Sequence, residues 1–96
     1  MHYILFYEYV GDIVERRSAY RGAHLKAIKD AFDAGEMVIG GALTDPLDGA
    51  ALVFRGESRE PAERFAKNDP YVVNGLVKNW KIRNWQTVVG DGAVMP

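Results

Sequence analysis

His24 is the residue of this 96-residue chain whose type and position best suit acid–base chemistry. A neutral imidazole accepts a proton near physiological pH, and the only other histidine, His2, lies at the N-terminus. His24 falls between Ala23 and Leu25 in a helical pattern, so its ring is expected to point partly toward the interior. Two interpretations stay open: a general base, or a boundary histidine bonded to a backbone carbonyl, which the pattern alone favours.

Asp69 is the carboxylate that can assist such a base. It directly precedes Pro70, a common turn arrangement in which the side chain simply accepts hydrogen bonds from nearby backbone amides. The alternative is that Asp69 accepts the ring N–H of His24. That contact would fix the tautomer and orientation of the ring and stabilise the imidazolium that proton abstraction produces.

Arg17 and Arg21, four positions apart, can supply positive charge for an anionic ligand. A guanidinium at an apolar cleft binds a carboxylate or an enolate oxygen through two parallel hydrogen bonds. The adjacent Arg16 fits a solvated helix surface better.

Two further positions belong to the same candidate site. Gly41, together with Gly40, marks a place where the backbone approaches either a ligand or a packed helix, and packing is the simpler reason. Tyr71, like Tyr20, either lines a pocket or fills the core. The candidate site residues are therefore His24 and Asp69 for catalysis, with Arg17, Arg21, Gly41 and Tyr71 for substrate binding.

The composition excludes several classes of function. A net charge of −1 gives no electrostatic footprint for nucleic acid, and the chain has no cysteine for disulfides, thiolate chemistry or metal binding. No histidine–carboxylate motif has metal-ligand spacing, and there is no phosphate loop or dinucleotide fingerprint. We therefore expect no metal and no organic cofactor. With no leader peptide and no apolar run of the roughly 20 residues that a membrane span needs, we expect a cytoplasmic protein without membrane contact.

The pattern predicts one domain over residues 1–90 and a tail over 91–96, with elements in the order β-α-β-β-α-β. The first helix is expected to start with a capping box formed by Asp12 and Glu15, to break near residues 18–20, and to bury Leu25 and Phe32 in a broad apolar face. Asn84 is expected to mark a bulge or a bend in the last strand. The predicted strands cover residues 2–9, 37–43, 50–55 and 76–89; the predicted helices cover 12–34 and 58–68, followed by a turn of helix at 70–74.

This order predicts an α+β ferredoxin-like plait, in which a four-stranded antiparallel sheet carries both helices on one face. Tyr3, Leu5 and Tyr7 alternate with Ile4 and Phe6, so both faces of the first strand are apolar. One face must cover the helices. An exposed apolar face of that size is unusual on a monomer, so we expect the other face to be buried against a second copy of the chain.

Taken in order, the motifs resemble those of the YCII-related proteins, and the resemblance covers residues 1 to about 89. The motifs are MHYILFYEY at 1–9, RR at 16–17, YRGAHL at 20–25, GGAL at 40–43, DGA at 48–50, DPYV at 69–72 and GL at 75–76. Each motif is weak alone, and the specificity lies in their order and spacing.

The resemblance implies a dimeric α+β barrel built from ferredoxin-like plaits, similar in fold to muconolactone isomerase. It also implies that His24 and Asp69 form the active site, which reverses the preference that the pattern alone gave to a boundary histidine. The best-attested chemistry of the family is dehydrochlorination of a chlorinated hydroxyquinol, and nothing in this sequence indicates that particular substrate.

Three functions therefore stay open. The first is a cofactor-free lyase or isomerase that acts on a small metabolite through the His24–Asp69 pair. The second is a non-catalytic dimer that binds a small ligand or serves a partner protein. The third is a cofactor-free monooxygenase on the same architecture.

Overall fold

A computed structural model of the chain describes residues 1–93. Its four strands form one antiparallel sheet in the order β2-β3-β1-β4, so that the first strand lies next to the last one. The elements are β1 (His2–Tyr9), α1 (Ile13–Arg17), α2 (Arg21–Asp33), β2 (Met37–Leu43), β3 (Gly49–Arg55), α3 (Glu60–Asn68), α4 (Pro70–Val73) and β4 (Val77–Trp85). This arrangement confirms the predicted α+β ferredoxin-like plait.

The core lies between the sheet and the helices. Side chains alternate along a strand, so every second residue of β1 points to the helices. Tyr3, Leu5, Tyr7 and Tyr9 are all 5% exposed or less, and each lies in the core cluster. Three tyrosines of β1 therefore lie under the helix layer, and the rings of Tyr7 and Tyr9 are neighbours, with centroids 6.4 Å apart.

The break predicted at residues 18–20 is present and separates α1 from α2. Two other expectations for this region were wrong. Asp12 precedes α1 but its side chain makes no capping hydrogen bond, so there is no capping box. Leu25 and Phe32 are 46% and 58% exposed, and His24 is the one buried residue of α2. The helix lies away from the sheet along part of its length, and an open cleft separates the two.

The last strand ends at Trp85, earlier than the predicted Val89, because Trp85 already pairs with His2, the first residue of β1. Asn84 pairs regularly with Tyr3, so of the two alternatives expected there, a bulge or a bend, the bulge is absent. The irregularity lies at the other end of the pairing, between Glu8 and Tyr9 of β1. Of the predicted tail, residues 94–96 lie outside the described part of the chain.

The sheet face opposite the helices, here called the open face, carries apolar side chains. Ile4 and Phe6 of β1 lie on it, partly buried, while Ile39, Leu43 and Trp85 are 67%, 45% and 47% exposed. His2 lies at one end of this face and bonds through Nδ1 to the Thr87 hydroxyl at 2.8 Å. Between residues 1 and 93, no helix is both long enough and apolar enough to cross a bilayer.

Candidate active site

His24 and Asp69 are in direct contact. The Nδ1 atom of His24 lies 2.7 Å from Oδ1 of Asp69, and both residues are buried, at 5% and 1% exposure. An ionised carboxylate only accepts hydrogen bonds, so Nδ1 is the nitrogen that carries the proton and Nε2 is left with a free lone pair. Nε2 makes no hydrogen bond to the described residues and no polar side-chain atom among them is both sealed and unpaired, so Nε2 is open to solvent.

The local sequence places Asp69 where α3 stops. A residue before proline is disfavoured in helical geometry, and Asp69 adopts an extended conformation (φ −63°, ψ 127°) between α3 and α4. Pro70 then occupies the first turn of α4, where its missing N–H is not needed. Oδ1 of Asp69 accepts the backbone N–H of Tyr71 at 3.1 Å, as an N-cap side chain does. The Asp69 side chain therefore does both things that the sequence left as alternatives: it accepts a backbone N–H in the turn, and it accepts the ring N–H of His24.

Tyr7 completes the surroundings of the carboxylate. Its hydroxyl donates to Oδ2 of Asp69 at 2.6 Å, so both carboxylate oxygens are bonded. Burial raises the pKa of Tyr7 well above its usual value, and the nearby charge of Asp69 raises it further. The phenol therefore stays protonated and remains a donor.

Tyr71 stacks on His24. The two ring centroids are 3.7 Å apart and the planes differ by 5°, which covers one face of the imidazole. Tyr9 meets the edge of Tyr71 at 6.1 Å in a T-shaped contact. Burial raises the pKa of Tyr9 to about 12, aided by Tyr71 and opposed by the charges of Arg17 and Arg21.

An open cleft of about 260 Å³ lies between α2 and the sheet, and His24 lies in its wall. Arg17, Arg21 and Tyr71 line it as well, as does Tyr9. Neither Arg17 nor Arg21 forms an ion pair within residues 1–93, whereas Arg16 lies 3.9 Å from Asp12 and bonds to the Asn74 carbonyl. The two guanidinium groups that face the cleft are therefore available to an anion.

The glycines of β2 line the sheet side of this cleft. A Cβ atom at Gly40 would lie 2.7 Å from a methyl group of Leu52, so close packing explains that glycine. A Cβ atom at Gly41 would meet nothing within 4 Å, so close packing does not explain that glycine. Gly41 lines the cleft, and its predicted contact with a ligand remains a proposal. The structure thus brings together all six predicted site residues, His24, Asp69, Arg17, Arg21, Gly41 and Tyr71, around one cleft or at the carboxylate behind it.

Sequence reasoning missed Tyr7 and Tyr9. Their alternation with Tyr3 and Leu5 marks them as residues that face the helices, which is also the signature of ordinary core. A weak signal is present, since a buried tyrosine hydroxyl needs a polar partner and Asp69 is the carboxylate that the sequence assigns to the candidate site. Within residues 1–93, no cluster of three or more histidine and carboxylate side chains is arranged to hold a metal ion.

The fold of this chain is similar to those of several solved structures. The solved structure of 5-chloro-2-hydroxyhydroquinone dehydrochlorinase (TftG) from Burkholderia phenoliruptrix, in complex with 2,5-dihydroxybenzoquinone, matches with a TM-score of 0.76 and 19% identity over 91% of this chain and 95% of that one. A candidate antibiotic biosynthesis monooxygenase from Nitrosomonas europaea matches with a TM-score of 0.61 and 14% identity, over 99% and 90% of the two chains. At these identities the likeness shows the shared fold.

Sequence comparison extends the match to a family. Protein YciI from Escherichia coli O6:H1 is 27% identical over 97 residues, which covers 92% of this chain and 99% of the relative, and Protein YciI from Shigella flexneri matches equally well. The model of the YCII-related domain matches residues 1–86, nearly the whole chain. This protein therefore belongs to the YCII-related domain family.

Proposed function

We propose that this protein is a cofactor-free lyase or isomerase that removes a proton from a small, enolisable metabolite, with His24 as the general base and Asp69 as the residue that orients it. One observation carries the proposal: the imidazole lines an open cleft and is bonded at 2.7 Å to a buried carboxylate, while its other nitrogen has no hydrogen-bond partner within residues 1–93. A base held in one tautomer, with its free nitrogen facing the ligand, is the arrangement that proton abstraction needs.

The reaction uses the atoms in a fixed order. Nε2 of His24 takes a proton from a carbon next to a carbonyl or similar group, and the C–H electron pair moves into an enolate. Asp69 stabilises the imidazolium through the bond at Nδ1. The proton then returns to a different carbon, which is an isomerisation, or a leaving group departs with its electron pair, which is an elimination.

The cleft favours a ligand rich in oxygen acceptors. Arg17, Arg21 and the hydroxyls of Tyr9 and Tyr71 are donors, and neither hydroxyl has a hydrogen-bond partner within residues 1–93. A carboxylate or an enolate oxygen is the complementary group, since charge-assisted hydrogen bonds from arginine are among the strong ones. Gly41 exposes backbone on the opposite side of the same space.

The fold relatives favour the elimination class without identifying the substrate. TftG is, by its name, a dehydrochlorinase, and it shares the fold of this chain. The monooxygenase alternative has a fold relative as well. We favour proton abstraction because the site supplies a base, its orienting carboxylate and anion-binding donors.

Hydrogen–deuterium exchange tests the proposal. Small ring carboxylates and enols are screened for binding by thermal shift, and each binder is then incubated with the protein in D₂O while its C–H signals are followed by NMR. We expect exchange with the wild type and binding without exchange by His24→Gln, which keeps a polar side chain of similar size but has no useful basicity. His2→Gln, on the opposite face of the sheet, is the matched control and should still catalyse exchange. If the wild type and His24→Gln both bind the ligand and neither catalyses exchange, the protein belongs to the non-catalytic class.

The protein is a homodimer whose two copies meet through the open face. It works in the cytoplasm. The exposed side chains of Ile39, Leu43 and Trp85 support the first inference, because a second copy would remove them from water. Light scattering on Ile39→Asp, compared with Val14→Asp on α1, tests the dimer, since only the first change lies on that face. Cell fractionation tests the location.

A further inference from the structure

The hydroxyl of Tyr7 is a polar group that the proposed reaction does not use. It comes from β1, in the middle of the sheet, and donates to Oδ2 of Asp69 at 2.6 Å. Tyr7 is 3% exposed and does not line the cleft, so it cannot touch a ligand there. Any effect of this hydroxyl on His24 must pass through Asp69.

The carboxylate of Asp69 is bonded from three elements. Oδ1 meets Nδ1 of His24 on α2 and the N–H of Tyr71 on α4, whereas Oδ2 meets Tyr7 on β1. Within residues 1–93, Tyr7 supplies the one hydrogen bond that Oδ2 receives. Donors at both oxygens fix the plane of a carboxylate, because rotation about its bond would break at least one of them.

We infer that Tyr7 is a positioning residue that holds Asp69 in place and draws negative charge from it, and so sets how strongly the Asp69–His24 pair holds a proton. The inference rests on the proposed function only for its consequence in catalysis. A hydrogen bond to an ionised oxygen is stronger than one between neutral groups, and a buried network polarises more than a solvated one.

The other groups around the imidazole do not replace Tyr7. Tyr71 covers a ring face, and Tyr9, Arg17 and Arg21 line the cleft with His24. None of these side chains is hydrogen-bonded to Asp69. Removing the Tyr7 hydroxyl therefore changes the carboxylate while the remaining charged groups at the site stay as they are.

The test is an NMR titration, which suits a protein with two histidines. The ring C–H signals of His2 and His24, assigned with His24→Gln, are followed against pH in the wild type, in Tyr7→Phe and in Tyr3→Phe. Tyr3 is the matched control, since it is a buried tyrosine on the same face of β1 whose hydroxyl, within residues 1–93, has the Met1 sulfur as its one hydrogen-bond partner, at 3.9 Å.

In Tyr7→Phe, Asp69 loses a donor and presents more negative charge to the ring, which favours the imidazolium. We expect the titration midpoint of His24 to rise by roughly half a pH unit or more, about a threefold change in proton affinity. The midpoint of His2 should stay fixed, and Tyr3→Phe should move neither histidine. A folded Tyr7→Phe in which His24 titrates as in the wild type would show that Tyr7 only fills the core, and an equal shift in Tyr3→Phe would show a non-specific effect; either result overturns the inference.

A second variant covers the case in which Tyr7→Phe does not fold. Site-specific 3,5-difluorotyrosine at position 7 keeps the ring and the hydroxyl but makes the hydroxyl a stronger donor. The midpoint of His24 should then move down, opposite to the shift in Tyr7→Phe, and an unchanged midpoint would again contradict the inference.

The titration needs no substrate, so it separates this inference from the proposed function. A shift in His24 together with no exchange of any bound ligand would leave the role of Tyr7 intact and remove the catalytic proposal. Where exchange is measured, its acid limb should move with the midpoint of His24 in each Tyr7 variant.

Discussion

His24 and Tyr71 form a parallel stack, with ring centroids 3.7 Å apart and planes 5° apart. The stack covers one face of the imidazole, and the bond to Asp69 holds one edge. The ring therefore cannot swing within its pocket. The edge that carries Nε2 is the part of the ring left for a ligand, which is why the contact with Tyr71 matters for chemistry as well as for packing.

The stack itself can be tested by changing its outer ring. Tyr71→Leu removes a buried aromatic ring that contacts both His24 and Tyr9, and we expect the free energy of unfolding to fall by about 2 kcal/mol. Tyr71→Phe keeps the ring and loses a hydroxyl without a partner among the described residues, so its stability should stay close to that of the wild type. Urea unfolding of the two variants makes the comparison. Equal losses in both would mean that the hydroxyl, and not the stacked ring, stabilises this region.

Asp69 should be among the most sensitive positions in the chain. Asp69→Asn keeps the shape of the side chain but replaces one accepting oxygen with an NH₂ group, which is a donor. That group must face either the Tyr7 hydroxyl or the N–H groups of His24 and Tyr71, so in both orientations a donor faces a donor. We expect a loss of about 3 kcal/mol, typical of breaking a buried charged network. Asp91→Asn is the control, because its ion pair with Arg55 at 3.2 Å is exposed and should contribute little. Thermal unfolding of both variants checks the expectation, and a tolerant Asp69→Asn would mean that the network is not held as a unit.

Arg17 and Arg21 should control affinity for anions. Once an anionic ligand has been identified by the thermal-shift screen, Arg17→Gln and Arg21→Gln should each weaken its binding by about tenfold, the usual value of a charge-assisted hydrogen bond. Titration calorimetry at low and high salt measures this, and the wild type should show the steeper salt dependence. Arg59→Gln is the control, since Arg59 pairs with Glu63 away from the cleft. If all three variants bind the anion as tightly as the wild type does, Arg17 and Arg21 do not contribute to anion binding in the cleft.

Several of these features could be predicted from the sequence, because they follow from local rules. The order of elements, the break before Arg21 and the extended residue before Pro70 all follow from hydrophobic periodicity and from proline and glycine chemistry. The exposure of Leu25 and Phe32 could not be predicted, because periodicity shows which residues share a helix face but not how far the helix lies from the sheet. The role of Tyr7 depends on strand register and on the position of α4, which are tertiary properties. Three tyrosines alternate along β1, and nothing local distinguishes the one that meets Asp69.

The tyrosines under the helices predict a loss of stability in alkaline solution. The pKa of Tyr9 is raised from 10.0 to about 12 in the folded protein, mainly by burial. The folded state therefore holds this proton more tightly than the unfolded chain does. The stabilisation is fully present below pH 10 and is lost as the pH rises toward 12, at up to about 1.4 kcal/mol per pH unit for one group. Tyr7, whose pKa is also raised by burial and by Asp69, acts in the same direction.

Urea unfolding at pH 8 and at pH 11 measures this loss, and Tyr9→Phe isolates the part that Tyr9 contributes. Its hydroxyl has no hydrogen-bond partner within residues 1–93, so the variant should match the wild type at pH 8. At pH 11 the variant should be the more stable of the two, because the titration of the lysines and of Tyr7 affects both proteins equally and only the wild type must also keep the phenol of Tyr9 protonated. If the free energy of unfolding falls equally in the two proteins, Tyr9 ionises in the folded state as readily as in the unfolded chain. The side of Tyr9 that faces the cleft would then be better solvated than the burial of Tyr9 indicates.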